Sequence, residues 1–512
     1  MTPRWIAITL LTAFASVLHA QPTDSTDSPP AASVVAEAPK VRAVPAENQK
    51  LSEAIQQILA DKLLAKGQAS VEVVRLGESR EQDRVVFQHQ GKTALIPASN
   101  LKLLSTAAAV HFLGADFQFT TRLAIRTNPD GKVDAAIIGD GDPSTGDSDL
   151  FGKLGRPIDQ LFRDWAGILA KQNITKVDRL LIDDSVFGPV AMHPNWPPEQ
   201  AHFPYVAQVG GLNLNANCLD VFLSPKASGA VDVRVEPRSD LIDIQRRLTL
   251  GDGELFLSRT AGTNNIILRG QRNGPNREPW RVTIHDPSLF AGSVCARTFI
   301  TGGVNVRSVE RDATVRQALE ANSPDWVVIA QAKTPIGIVL DHANKESANL
   351  YAEALARRTA FKVTGTGDWP ASGRALSQFL AEIGVNTDEF SLDDGCGLSK
   401  NNRISANALA AVLSHMHHST DRELFFNSLS QGGVDGTLSN RFNSKLLAGK
   451  VAGKSGFVRG VSSLSGYLKS RDGSVYVFSI LLNGVPSGQN SLAKAMQDRI
   501  VAAIENSTIV GP

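Results

Sequence analysis

Pro97-Ala98-Ser99-Asn100-Leu101-Lys102-Leu103-Leu104 sets a hydroxyl and an amine three residues apart, at the head of an apolar, alanine-rich run that continues to Leu113. Residues at that spacing share one helical face. The run predicts a buried helix that fixes Ser99 at its N-terminus, and Pro97 marks the start. Serine is a poor nucleophile at neutral pH, whereas a lysine kept neutral by desolvation and nearby cations takes its proton without a histidine. Ser99 and Lys102 therefore read as a nucleophile with its own base. The plainer alternative is a helix-capping serine beside an exposed lysine. A second S-x-x-K, Ser491 to Lys494, has no partner motif after it.

Lys454-Ser455-Gly456 is the one K-[ST]-G of the chain. It leads into Phe457 to Leu468, an Asp-Gly turn at Arg471-Asp472-Gly473-Ser474, and Val475 to Leu482, a pattern of strand, turn and strand. Lys454 is thus expected on a sheet strand, where Gly456 lets a peptide substrate approach the backbone without a Cβ in the way. Three S-x-N triplets occur, at Ser347, Ser399 and Ser405, and pattern alone does not choose among them. Ser347-Ala348-Asn349 is favoured because it opens the helical run Leu350 to Ala356, whose first turn would hold a polar loop over a site.

S-x-x-K, S-x-N and K-[ST]-G in this order are the set found in penicillin-recognising serine enzymes. With Leu181 to Phe187, Asp394 to Ser399, Gly433 to Leu438 and Gly460 to Tyr467, the chain resembles the low-molecular-mass penicillin-binding proteins of the D-alanyl-D-alanine carboxypeptidase/endopeptidase type, the DacB-like peptidase S13 family. The gap between Ser99 and Ser347 is the size of a domain or two. The resemblance accordingly implies an α/β (α+β) fold, a β-lactamase/transpeptidase-like core with two β-rich domains inserted between the first two motifs. Residues 47–114 and 325–512 would form the core and 115–324 the insertion, with its second unit at about 200–290.

The resemblance implies that Ser99 attacks a D-alanyl carbonyl, Lys102 accepts its proton, and Ser347 relays a proton to the departing amine. Lys454 would attract the substrate carboxylate and keep Lys102 depressed by like-charge repulsion. Asn349 would orient the substrate amide, and the backbone N–H groups of Ser99 and Phe457 would hold the oxyanion. Asp183 would pair with an amino group of the stem peptide, or else be a turn aspartate after a strand. No metal or cofactor is required. Peptidoglycan peptides are the implied substrates and β-lactam antibiotics the implied acylating inhibitors. Competing readings are a serine β-lactamase with fast deacylation and a non-catalytic wall-binding protein. Three departures stand out: Ser455 in place of threonine, Cys396 in place of a serine, and Phe457 where the family commonly carries Thr or Ser toward the substrate carboxylate. The last would weaken recognition of a terminal D-alanine or favour an internal cross-link.

Arg4 followed by the apolar stretch Trp5 to Leu18 and His19-Ala20 reads as a secretory signal peptide cleaved after Ala20, with a retained anchor as the alternative. Residues 21–46, rich in Pro, Ser, Thr and Ala, read as a disordered tether. Periplasmic residence is the expected outcome, with no transmembrane domain in the mature chain. Lys+Arg of 52 against Asp+Glu of 51 leaves no basic footprint for nucleic acid. Cys218, Cys295 and Cys396 allow one bridge at most, Cys218 with Cys295 being one of three pairings. His415, His417 and His418 lack a metal-binding motif and read as a solvated helix face.

Overall fold

The computed structural model describes residues 49–507 apart from residues 227 and 229; the expected signal peptide and the whole of the tether lie outside the described residues. The strand Val461–Lys469 is buried at every position but its last, and Val475–Asn483 at all but its ends. Such strands can only lie inside a sheet covered on both faces. They are central in a six-stranded antiparallel sheet whose order is Ser430–Gln431, Val451–Val458, Val461–Lys469, Val475–Asn483, Gln68–Arg75 and Arg84–His89. The pairing of Gln68 with Asn483 through Arg75 with Tyr476 joins the two ends of the chain around the insertion. Buried serines in Val461–Lys469 all find partners: Ser463 bonds the Pro97 carbonyl, Ser465 bonds Ser479, and Ser462 accepts from Gln497.

Helices Gln49–Leu59 and Asn490–Ser507 cover one face of this sheet through Leu51, Ile55, Ile500 and Ile504. Leu101–Leu113, Asn349–Thr364, Trp369–Glu382 and Ala406–His418 share the apolar core on the other face. Leu101–Leu113 is the innermost element, with every residue from Leu101 to Val110 buried. Its polar side chains, Lys102, Ser105 and Thr106, must therefore find internal partners or incur a desolvation penalty.

The insertion contains a five-stranded mixed sheet in the order Asn305–Arg311, Lys176–Asp183, Val133–Ile138, Gln118–Thr127 and Val327–Pro335. Helices Gln160–Lys171 and Pro287–Thr301 contribute Trp165 and Phe290 to its core. Two three-stranded sheets follow between Cys218 and Thr283. Val327–Pro335 pairs with Gln118–Thr127, so the insertion runs past the 324 limit read from sequence, and the chain re-enters the core with helix Ile336–Asn344.

Several local expectations need correction. The segment expected as one strand from Phe457 to Leu468 is a tight hairpin, with Val458 opposite Val461 and Gly460 at φ 86° in the turn. Lys454 consequently sits mid-strand in Val451–Val458. All three cysteines are free and buried, so Cys218 and Cys295 form no bridge. The histidine face is packed rather than solvated: His415 lies edge-on to Phe379, His417 faces Tyr467, and His418 bonds Asp83. Burial pushes His415 and His417 down to about 4.

Candidate active site

Ser99 lies in a single 3-10 turn, Ala98–Asn100, that runs directly into Leu101–Leu113. Ala98 adopts φ 48°, a left-handed conformation costing an L-residue roughly 1–2 kcal/mol. Tight surroundings hold it there. A Cβ on Gly397 would come within 1.9 Å of the Ala98 carbonyl oxygen, and one on Gly456 within 2.9 Å of both Pro97 O and Ser99 N. Two glycines thus let a loop and a strand close on the serine turn from different sides.

Lys102 is fully buried. Its Nζ lies 3.0 Å from Ser99 Oγ, 2.7 Å from Asn349 Oδ1 and 2.8 Å from the Cys396 carbonyl; as an ammonium it donates to all three, and as a neutral amine it donates to the last two and accepts from the Ser99 hydroxyl. Burial lowers its pKa, while Cys396, Asp394 and Glu353 oppose the shift. Lys454 is equally buried and donates to Ser347 Oγ (2.9 Å) and to its neighbour's carbonyl at Ser455 (2.7 Å). Its pKa falls well below the ordinary value, first through burial and then through the charge on Lys102. The expected repulsion therefore acts on Lys454, and desolvation is what lowers Lys102. Two lysines buried this close together resist being charged at the same time.

Ser347 adopts φ 57° and precedes helix Asn349–Thr364 by two residues. Asn349 bridges the site, accepting from Lys102 and donating through Nδ2 to the Tyr205 carbonyl (2.7 Å). Along Val451–Val458 side chains alternate: Lys454 and Gly456 point inward, while Ser455 and Phe457 point out. Ser455 Oγ bonds Thr437 Oγ1 (2.9 Å), and Phe457 is 57% exposed. Strand Ser430–Gln431 pairs only with Ala452 and Gly453, so beyond Gly453 this edge has no strand partner among the described residues.

The structure thus brings together Ser99, Lys102, Ser347, Asn349, Lys454, Ser455, Gly456 and Phe457. It leaves Asp183 out. That carboxylate is fully buried and accepts from the N–H and hydroxyl of Ser185 and from the N–H of Arg316, as a turn aspartate does. The other motif copies also take structural roles. Ser405 caps Ala406–His418, Ser399 bonds Asp393, and Ser491 lies on the helix Asn490–Ser507 across the sheet.

Sequence reasoning missed Thr437, Glu353 and the carbonyls of Cys396 and Tyr205. Only Glu353 carried a positional signal, one helical turn after Asn349. Glu353, Asp394 and Cys396 form a buried group whose potential ligand atoms lie within 4.8 Å. Its lone pairs are largely committed: Glu353 Oε1 accepts from two backbone N–H groups, and Asp394 accepts from Trp196, Gly397, Ser399 and Asn402.

The model of the D-Ala-D-Ala carboxypeptidase 3 (S13) family matches residues 51–507. The D-alanyl-D-alanine carboxypeptidase of Actinomadura sp. (strain R39) is 28% identical over 479 residues, covering 89% of this chain and 84% of that protein. Carboxypeptidase DacB of Haemophilus influenzae is 22% identical over 448 residues, covering 81% and 85%. The crystal structure of penicillin binding protein 4 from H. influenzae superposes with a TM-score of 0.71 at 21% identity over 87% of this chain and 98% of that one, which establishes a shared fold. By the extent of the family match, the chain belongs to the D-Ala-D-Ala carboxypeptidase 3 (S13) family.

Proposed function

We propose that this family member hydrolyses D-alanyl peptide bonds of peptidoglycan stem peptides through an acyl-enzyme on Ser99. The observation that carries this reading is the 3.0 Å contact between Ser99 Oγ and a desolvated Lys102 Nζ. Neutral Lys102 takes the Ser99 proton as Oγ attacks the carbonyl carbon. The backbone N–H groups of Ser99 and Phe457 stabilise the oxyanion, a role favoured by the close packing of Gly456 on the serine turn. Ser347, bonded to Lys454, passes a proton to the departing amine. Water then releases the acid and regenerates Ser99.

The substrate lies as an added strand along the open edge of residues 454–458, where main-chain pairing supplies affinity. Asn349 serves primarily to aim Lys102, and Ser455 with Thr437 offers hydroxyls to the substrate's leaving-group side. β-Lactams acylate Ser99 because their strained amide imitates the same bond. A β-lactam complex is known for the H. influenzae penicillin binding protein 4 (TM-score 0.66, 21% identity). The reading places the enzyme in the periplasm, released by signal cleavage after Ala20; among the described residues no helix is long and apolar enough to cross a membrane.

Defined monomeric and cross-linked muropeptides test it. Release of D-alanine or opening of cross-links by the wild type, lost in Ser99→Ala, is expected. Penicillin turnover without muropeptide cleavage would favour a β-lactamase, and inertness toward both would favour a wall-binding protein.

A further inference from the structure

Helix Asn349–Thr364 presents two side chains toward the catalytic lysine, one turn apart. Asn349 touches Lys102 directly; Glu353 does not. Glu353 is fully buried, and its Oε1 accepts the backbone N–H groups of Gly395 (2.9 Å) and Cys396 (2.6 Å). Ser105, one turn beyond Lys102 on the nucleophile helix, donates to the Gly395 carbonyl (2.5 Å). The next carbonyl, that of Cys396, receives Lys102 Nζ. A Cβ on Gly395 would lie 2.6 Å from Ala356 Cβ, so no other residue lets this peptide seat between the helices. From the opposite side the indole N–H of Trp196 holds Asp394 (2.9 Å).

We infer that Glu353 is a positioning residue, gripping the Gly395-Cys396 peptide so that the Cys396 carbonyl aims Lys102 at Ser99 Oγ. The inference rests on the Ser99 acyl-enzyme reading. Glu353 Oε2 has no hydrogen-bond partner among the described residues, so the second oxygen is spare to the grip. Charge adds a second effect. Burial and then Asp394 push the Glu353 carboxyl up to about 8, and when ionised it favours the ammonium form of Lys102. The charged or titratable groups facing it are Lys102 from the nucleophile helix, Asp394 and Cys396 from the loop, and Arg357 from its own helix.

The test is the acylation rate constant for a fluorescent penicillin, separated from the binding constant and followed against pH. Glu353→Gln keeps an oxygen for both N–H groups, so its rate at the pH optimum should stay within about threefold of wild type. Glu353→Ala should lose roughly tenfold or more, as a misaimed base does. Acylation needs neutral Lys102, so its rate rises with pH through the lysine's titration; a Glu353 carboxyl raised to about 8 is neutral below that pH, where Gln matches its charge. Below about pH 8 the acid limb should therefore stay in place in Glu353→Gln. If Glu353→Ala does not fold, Ser105→Ala provides the second variant, with a reduced rate and an unmoved acid limb. Wild-type behaviour in Glu353→Ala or Ser105→Ala, or an acylation rate in Glu353→Gln as low as in Glu353→Ala, would overturn the inference alone. A wild type that no penicillin acylates would overturn the proposed function and this inference with it.

Discussion

Gly456→Ala offers a graded test of how the serine turn and the lysine strand cooperate. An added Cβ would stand 2.2 Å from Ser463 Oγ and 2.9 Å from both Pro97 O and Ser99 N. Ordinary contact begins near 3.5 Å, so the turn must retreat by roughly half an ångström. Ser463 cannot simply rotate away without giving up its 2.6 Å bond to the Pro97 carbonyl. Overpacking of this kind costs about 1–3 kcal/mol of stability. Its kinetic effect should be of similar size, because the retreat separates the N–H groups of Ser99 and Phe457 proposed to hold the oxyanion. Misplacement by 1 Å costs about a hundredfold and loss of one oxyanion donor 10²–10³, so a ten- to hundredfold slower acylation is expected. Stopped-flow labelling with a fluorescent penicillin measures it, alongside thermal unfolding to confirm a folded sample. Acylation within about threefold of wild type would mean that the close approach at Gly456 has no part in forming the oxyanion site.

Phe457→Thr should raise cleavage of a terminal D-alanine relative to an internal cross-link by about tenfold or more, the worth of one hydrogen bond to a charged group; an unchanged ratio in paired muropeptide assays would count against a specificity role. Glu72 is raised to about 8 by burial and by Glu389, from an ordinary 4.5. Its neutral form stabilises the fold fully below pH 4.5, and that contribution is lost as pH rises toward 8. The stability advantage of Glu72→Gln should thus grow by up to about 1.4 kcal/mol per pH unit across that window and level off above it, whereas a flat difference in denaturant titrations would contradict the burial argument. Trp196→Phe removes the donor to Asp394 and should cost about 1.5–3 kcal/mol in the same assay, with an unmoved midpoint ruling out a structural bond there.

The parts of the molecule legible in the sequence are those that local pattern dictates. The alanine-rich run after Ser99, the alternating strands around Asp472-Gly473 and the helix after Asn349 each announced themselves through periodicity or turn chemistry. The break at Gly460 did not, because Arg459-Gly460 interrupts a run whose flanks are equally strand-like, and only pairing across the hairpin fixes the reversal. The end of the insertion was obscured for a related reason. Val327–Pro335 belongs with Gln118–Thr127 through a long-range ladder that no local signal encodes. Within the site, Ser99, Lys102 and Lys454 stood out by motif, but the Cys396 carbonyl and the Glu353 carboxyl are contacts between distant segments. The histidines of Ala406–His418, read as a solvated face for want of a metal-binding motif, are covered by Phe379 and Tyr467 from distant segments.

Mass spectrometry of the penicillin-treated protein bears most directly on Ser99 as the nucleophile. One covalent adduct is expected, on the peptide containing Ser99, and none in Ser99→Ala. An adduct on another residue, or one that persists in Ser99→Ala, would contradict the acyl-enzyme mechanism.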